Sequence, residues 1–305
     1  MKLGNTEIVD TFAEAFRMRY ARLIVTAADD YWLDAALREL TGYAASVIAC
    51  DAEVGVECRV DPDATPDGRT GAAVLLFGFS TDALAKAVPN RVGQCVMTCP
   101  TTAVFNGLDD AVDEVPLGSR LRYFGDGYQK SKLLGETRYW RVPVMDGEFL
   151  VEESAGVGKG IAGGNIILQA VDQNTALAAA KRASDTVANL PGVIAPFPGG
   201  VVRSGSKVGS KYPKMVASSN HAFCPTLRGS VDSELADGAH CAYEIVINGV
   251  DEATVASAMR AAIEAAAGDG VLAISAGNYG GKLGKFHFRL QEVMQQATTP
   301  REATT

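Results

Sequence analysis

One carboxyl group stands out because of the strand that carries it. In "CAYEIVIN", Cys241, Tyr243, Ile245 and Ile247 alternate with Ala242, Glu244, Val246 and Asn248, and a strand sends alternate side chains to opposite faces. The larger apolar set belongs against covering helices, which turns Glu244 toward the other face of its sheet. If that face is covered, the carboxyl loses water, its pKa rises, and it becomes a useful acid or base. Taken alone, an exposed glutamate on a half-wet strand is the simpler reading.

Three further stretches have binding chemistry. In "FPGGVVRSGSKVGSKYPKM", Arg203, Lys207, Lys211 and Lys214 are interleaved with Ser204, Ser206 and Ser210 and with several glycines. Glycines let backbone N–H groups approach a ligand, hydroxyls donate, and the cations neutralise carboxylate or phosphate. The Walker spacing is absent, and a solvated basic loop is the competing reading. "GNYGGKLGK", with Asn278, Tyr279, Lys282 and Lys285, is a second loop of this kind. The third is Arg120 to Glu153, which gathers Tyr123, Phe124, Tyr128, Tyr139 and Trp140 with charges of both signs around a "GDGYQ" turn holding Asp126 and Gln129. Aromatic faces beside Arg and Lys suit a flat, anionic small molecule, although a β-rich connector with its own small core has the same composition.

"GKGIAG" (Gly158, Gly160, Gly163) has the spacing of a dinucleotide fingerprint but precedes "NIILQAV", a strand rather than a helix. It is expected to be a flexible glycine turn. No GxSxG is present, and His221, His240 and His287 are too scattered for a metal cluster. The six cysteines form no CxxC pair, so buried free thiols are expected and no metal. A formal net charge of −8 argues against nucleic acid. No leader and no run of membrane-spanning length is visible, so a cytoplasmic, non-membrane protein is expected.

The elements that must position these residues repeat. "ARLIVTA", "DDYWLDAALREL" and "AASVIAC" read as strand, helix and strand, with Leu33, Ala36, Leu37 and Leu40 at helical spacing. "GAAVLLFGF", "STDALAKAV" and "GQCVMTC" repeat the order, with Ser80 or Thr81 as N-cap and Pro89 closing the helix. The second half does the same: "GGNIILQAV" leads into a helix capped by Asp172 and then to "GVIAPF" and "GGVVRSG", and "HCAYEIVING" leads into a helix capped by Asp251 and then to "GVLAISAG". Each half is therefore β-α-β β-α-β, predicting an α+β chain of two pseudo-duplicated ferredoxin-like lobes with antiparallel sheets. The expected division is 1–150, including a β-rich insert at about 116–150, then 151–296, then a disordered tail at 297–305. Each lobe leaves one sheet face open, to be covered by the other lobe, the insert or another subunit. A homo-oligomer is the economical prediction.

At this point "RVGQCVMTCPTTAVFN", "PLGSRLRYFGDGYQ", "RYWRVPVMDGEFLVEE", "VRSGSKVGSKY", "CPTLRG" and "AGNYGGKLG" resemble formylmethanofuran:tetrahydromethanopterin formyltransferase. The chain is most similar in character to the version in methylotrophic bacteria, a subunit of a formyltransferase/hydrolase complex. The resemblance implies a homotetramer, hydrolase-complex partners, no prosthetic group, and reversible formyl transfer between N5 of tetrahydromethanopterin and the amine of a methanofuran-type carrier. It implies a catalytic role for Glu244. The expected substrate-binding set is Tyr123, Phe124, Asp126, Gln129, Arg203, Ser204, Ser206, Lys207, Asn278, Tyr279 and Lys282. Two readings compete with it: a non-catalytic binding or scaffold subunit, and a hydrolase that releases formate directly.

Overall fold

The computed structural model describes residues 1–295. The tail expected at 297–305 lies outside the described residues. Fifteen strands form one large mixed sheet, a separate two-stranded hairpin pairs Lys207–Val208 with Ala217–Ser218, and six α-helices accompany them among the described residues.

In the first half, β1 (Phe12–Thr26), α1 (Asp30–Thr41), β2 (Glu53–Val60), β3 (Gly71–Gly78), α2 (Thr81–Arg91) and β4 (Ala103–Asn106) follow in order. Their strands pair antiparallel as β2–β3–β1–β4. Next come β5 (Lys130–Leu134), β6 (Thr137–Val144) and β7 (Gly147–Glu152) of the insert. The second half comprises β8 (Ser154–Ala170), α3 (Gln173–Ala188), β9 (Val193–Ile194), β10 (Cys241–Gly249), α4 (Glu252–Ala266), β11 (Val271–Ser275) and finally β12 (Phe286–Arg289). Its strands pair antiparallel as β9–β10–β8–β11, the same order as before.

All four major helices begin the same way, on a side-chain oxygen that accepts a first-turn N–H. Asp29 receives Trp32 N at 3.1 Å, Ser80 receives Ala83 N at 3.1 Å, Asp172 receives Thr175 N at 2.8 Å and Asp251 receives Thr254 N at 2.7 Å. Leu33, Leu37, Leu40, Leu84, Ala87 and Val88 turn into one core with the outer face of the first half's sheet. Alanines of α3 (176, 179, 180 and 183) and Val255, Met259, Ala262 and Ile263 of α4 do so in the second. Tyr243, Ile245 and Ile247 enter this second core, so β10 has the phase predicted from its alternation.

The helix-free faces meet each other. Met18 and Tyr20 of β1, Leu75 and Phe77 of β3, Ala162 of β8 and Ile194 of β9 form a third buried cluster between the halves. The long strands β1 and β8 also pair directly, from Val157↔Ala21 to Ala162↔Phe16, and so stitch the halves into one sheet. Glu57 completes the junction by taking Arg22 at 2.6 and 2.7 Å and the Gly192 N–H at 2.7 Å. The remaining open surface of the second half is covered from within: Phe223, Leu235 and Ala239 of the β9–β10 connection pack on Ile167.

Several sequence expectations give way to tertiary geometry. "AASVIAC" is not a strand but a turn, in which Ser46 O accepts from Ala49 N at 3.1 Å and Cys50 N at 2.8 Å. "GQCVMTC" is not a strand either. Pro89 lies inside α2 rather than closing it, and the helix runs on into a wider turn at Val92–Val96, with Met97 N donating to Val92 O at 2.9 Å. A proline without an N–H breaks the regular ladder and favours that widening. "GKGIAG" is strand interior, not a flexible turn. A Cβ on Gly158 would sit 2.5 Å from the Tyr20 ring, and one on Gly160 would sit 2.8 Å from Phe77. These two glycines therefore make room for aromatic rings, while Gly163, at φ 96°, occupies a bulge between Ile161 and Gly164.

Candidate active site

A cleft of about 200 Å³ opens where the two halves face each other. Glu244 lies in its wall and is only 2% exposed. Burial pushes its carboxyl up to about 7, and the Ser206 hydroxyl and N–H beside it offset only part of that rise. Its Oε2 has no hydrogen-bond partner among the described residues. A buried carboxyl oxygen without a donor is costly, and such groups cluster where chemistry needs them.

The strand is fixed on both sides of that carboxyl. Val202 N donates to Glu244 O at 2.7 Å, which anchors the start of the basic loop directly on β10. That anchor brings Ser206 to the cleft. Opposite, Asn165 of β8 donates to the Gly163 and Gly277 carbonyls at 3.0 and 3.1 Å and accepts Gly277 N at 2.6 Å. Tyr279 follows on the same loop, with a phenol pushed up to about 12 by burial and by the nearby Glu244 and Glu14 carboxyls. It stays a hydrogen-bond donor throughout the physiological range.

Two more carboxyls border the cleft, each in a different state. Glu14 of β1 is 1% exposed, which alone would raise its pKa; four backbone N–H donors outweigh that and hold it below the ordinary range. Glu53 of β2 is held up by burial, against Val47 N at 3.0 Å and Asn248 Nδ2 at 2.5 Å. Asn248 Oδ1 in turn accepts Gly163 N at 3.1 Å. This chain of bonds ties the Ser46–Ile48 turn of the first half to the second half across the cleft wall. The mouth is apolar and open, with Ile48 49%, Phe79 62% and Val208 42% exposed.

The structure gathers only part of the expected set. Glu244, Ser206 and Tyr279 line the cleft together. Arg203 and Ser204 border a small polar hollow on the other side of Glu244. Lys207 lies next to Ser206, with its Nζ 3.1 Å from His221 Nδ1. Asn278 supports the loop by donating to Thr11 Oγ1 and Phe12 O at 3.3 and 3.2 Å, and Lys282 is exposed. Tyr123, Phe124, Asp126 and Gln129 do not line this cleft. Phe124 instead borders a separate hollow against α2, and Gln129 Oε1 closes its own turn by accepting Gly127 N at 2.9 Å. Strand alternation could have found Glu14: in "FAEAFRMRY" it shares a face with Phe16, Met18 and Tyr20. Nothing local in the sequence points to Glu53, Asn165 or the Val47–Ile48 turn.

A desolvated carboxyl with a pKa about 7, with Ser206 and Tyr279 beside it in the lining of the same cleft, suits acid–base group transfer on bound small molecules. Comparison with known proteins makes the class specific. A family model described as formylmethanofuran-tetrahydromethanopterin formyltransferase matches residues 1–144, and one described as FTR, proximal lobe, matches 147–293. Proteins named formylmethanofuran--tetrahydromethanopterin formyltransferase are similar to the chain almost end to end. That of Methylobacillus flagellatus is 52% identical, and that of Methylococcus capsulatus 53%, each over 96% of this chain and 100% of the relative. Two solved structures superpose closely. One is the formyltransferase from Methanosarcina barkeri, with TM-score 0.91, 47% identity, and 96% and 100% of the two chains covered. The other belongs to the formyltransferase/hydrolase complex FhcABCD from Methylorubrum extorquens in complex with methylofuran, with TM-score 0.93, 44% identity, and 97% and 99% covered. The chain belongs to the formylmethanofuran:tetrahydromethanopterin formyltransferase family.

Proposed function

We propose that this chain transfers a formyl group reversibly between N5 of tetrahydromethanopterin and the amine of a methanofuran-type carrier, both held at once, with no covalent enzyme intermediate. The observation that carries the reading is the unpartnered Oε2 of Glu244, buried beside Ser206 and Tyr279 in the cleft between the halves. The acceptor nitrogen attacks the formyl carbon, and the carbonyl π electrons move to oxygen. Glu244 takes the proton from the attacking nitrogen and returns it to the departing one. The C–N bond then breaks as the carbonyl re-forms. A carboxyl near neutrality is suited to both halves of that exchange, hydroxyl donors ease the oxyanion, and joint binding removes the entropic cost of encounter.

Arg203, Ser204 and Lys207 border the region where an anionic carrier tail would leave the cleft, and Asn278, Tyr279 and Lys282 flank it from the second loop. Tyr123, Phe124, Asp126 and Gln129 belong to a more distant part of the carrier's path or to a subunit contact. The matching strand orders of the two halves support a pair of ferredoxin-like lobes, divided at about residue 150 with the insert on the first. A homotetramer bound to hydrolase subunits is the assembly we favour, by analogy with the complex of the relative. Incubating the isolated chain with both carriers tests the activity. Formyl transfer that disappears in Glu244→Gln supports the reading, whereas an inert wild-type chain favours the scaffold reading and formate release favours the hydrolase.

A further inference from the structure

The loop from Asn278 to Lys285 has the composition of an anion cradle, and the structure shows which anion it encloses. Glu14 Oε2 accepts Tyr279 N at 2.7 Å and Gly281 N at 2.9 Å, while Oε1 accepts Leu283 N at 2.6 Å and Gly284 N at 2.5 Å. Gly280 and Gly281, at φ 70° and 73°, turn those N–H groups inward. A Cβ on Gly284 would lie 2.5 Å from Ala15 O, so the loop closes directly against the strand that carries Glu14. Successive N–H groups converging in this way form the type of concavity that elsewhere binds phosphate. In this chain both carboxylate oxygens are saturated from within.

The cradled loop also builds the cleft. Gly277, which starts it, is locked to Asn165, and a Cβ there would lie 3.7 Å from Glu244 Oε1. Tyr279 is the loop's contribution to the lining. We propose that Glu14 is a positioning residue: its carboxylate is the built-in anion around which this loop folds, and it acts on the reaction by setting Tyr279 against Glu244. The proposal rests on the formyl-transfer reading for its kinetic consequence but not for its structural one. It also means that four of the loop's backbone N–H groups are taken by Glu14 and are not available to a ligand anion.

Acetate supplies the test, because Glu14→Ala removes the equivalent of one acetate ion. In Glu14→Ala, amide hydrogen exchange at residues 277–284 is expected to accelerate while the helices remain protected, and kcat to fall about a hundredfold, the scale of a small misplacement at a reacting centre. Acetate at tens of millimolar should restore both protection and kcat, whereas neutral acetamide should restore neither. Glu14→Gln should lose kcat in the wild-type background but little further in Tyr279→Phe, since the two act through one another. Normal exchange in Glu14→Ala, acetate-insensitive loss, or full additivity with Tyr279→Phe would each overturn the proposal. If the wild-type chain transfers no formyl group, the exchange and acetate arms still read out Glu14, so the two failures remain distinct.

Discussion

Glu14 and Glu244 are the same residue type, nearly equally buried, and pushed in opposite directions. The difference lies in donors: Glu14 has four backbone N–H groups, while Glu244 keeps one oxygen unpaired. Hydrogen bonds made to the charged form outweigh desolvation in the first case and fail to in the second. Glu244→Gln should therefore lower kcat by about 10² to 10⁴, the usual range for a general acid–base group, with little change in carrier Kd; near-normal turnover would remove the residue from the mechanism. The same shift has a stability consequence. Because the folded-state pKa is raised from 4.5 to about 7, the pH-dependent part of the cost of burying the carboxyl is absent below the unfolded pKa and grows as pH rises through that interval. Thermal melts of Glu244→Gln should match wild type at pH 4 and exceed it above pH 7, by a stabilisation on the order of 3 kcal/mol. Equal melting at both pH values would show that the group is hydrated. Lys207→Ala should raise KM for an anionic carrier, more so at low salt, where screening is weakest; a KM that ignores both the substitution and the salt argues against a tail site there.

At the scale of elements, the glycines of β8 make room for the aromatic rings packed between the halves. Gly158 and Gly160 let β8 pass close to Tyr20 and Phe77, whose ring centroids lie 5.8 Å apart in the buried layer between the halves. Gly158→Ala should destabilise the fold by roughly 1 to 3 kcal/mol through overpacking, and the double variant with Tyr20→Leu should regain part of it; denaturant unfolding of the pair measures the coupling. Helices were the most legible elements, because Asp29, Ser80, Asp172 and Asp251 combine a capping oxygen with helical spacing of the apolar residues that follow. Short apolar runs were the least legible. "AASVIAC" and "GQCVMTC" have strand-like composition, yet one forms a turn whose Val47 N–H is claimed by Glu53 and the other continues a helix past Pro89.

At the scale of the whole molecule, the two halves are not independent beads. β1 and β8 pair across the boundary, Glu53 bonds Asn248, and Glu57 bonds Gly192. Split near residue 153 and expressed separately, each half should expose its apolar inner face and bind hydrophobic dye, while co-expression should restore a complex with the cleft and activity. Two halves that are separately soluble and dye-negative would contradict this junction. The insert is likewise less separate than its composition suggests. β7 pairs parallel with β4, and Trp140, Val142, Phe149 and Val151 enter the first half's core, leaving Tyr123, Phe124 and Tyr128 on the surface.

The sequence by itself determined the four capped helices, the long strands between them, and the side of β10 on which Glu244 lies, because each depends on periodicity and chemistry within a few residues. Only the tertiary structure decided that the bare sheet faces cover one another, that Glu14 organises the Tyr279 loop from more than 260 positions away, and that the Ser46–Ile48 turn reaches the cleft. Those outcomes depend on which distant N–H meets which carboxylate once two sheets close, and no local pattern encodes that pairing.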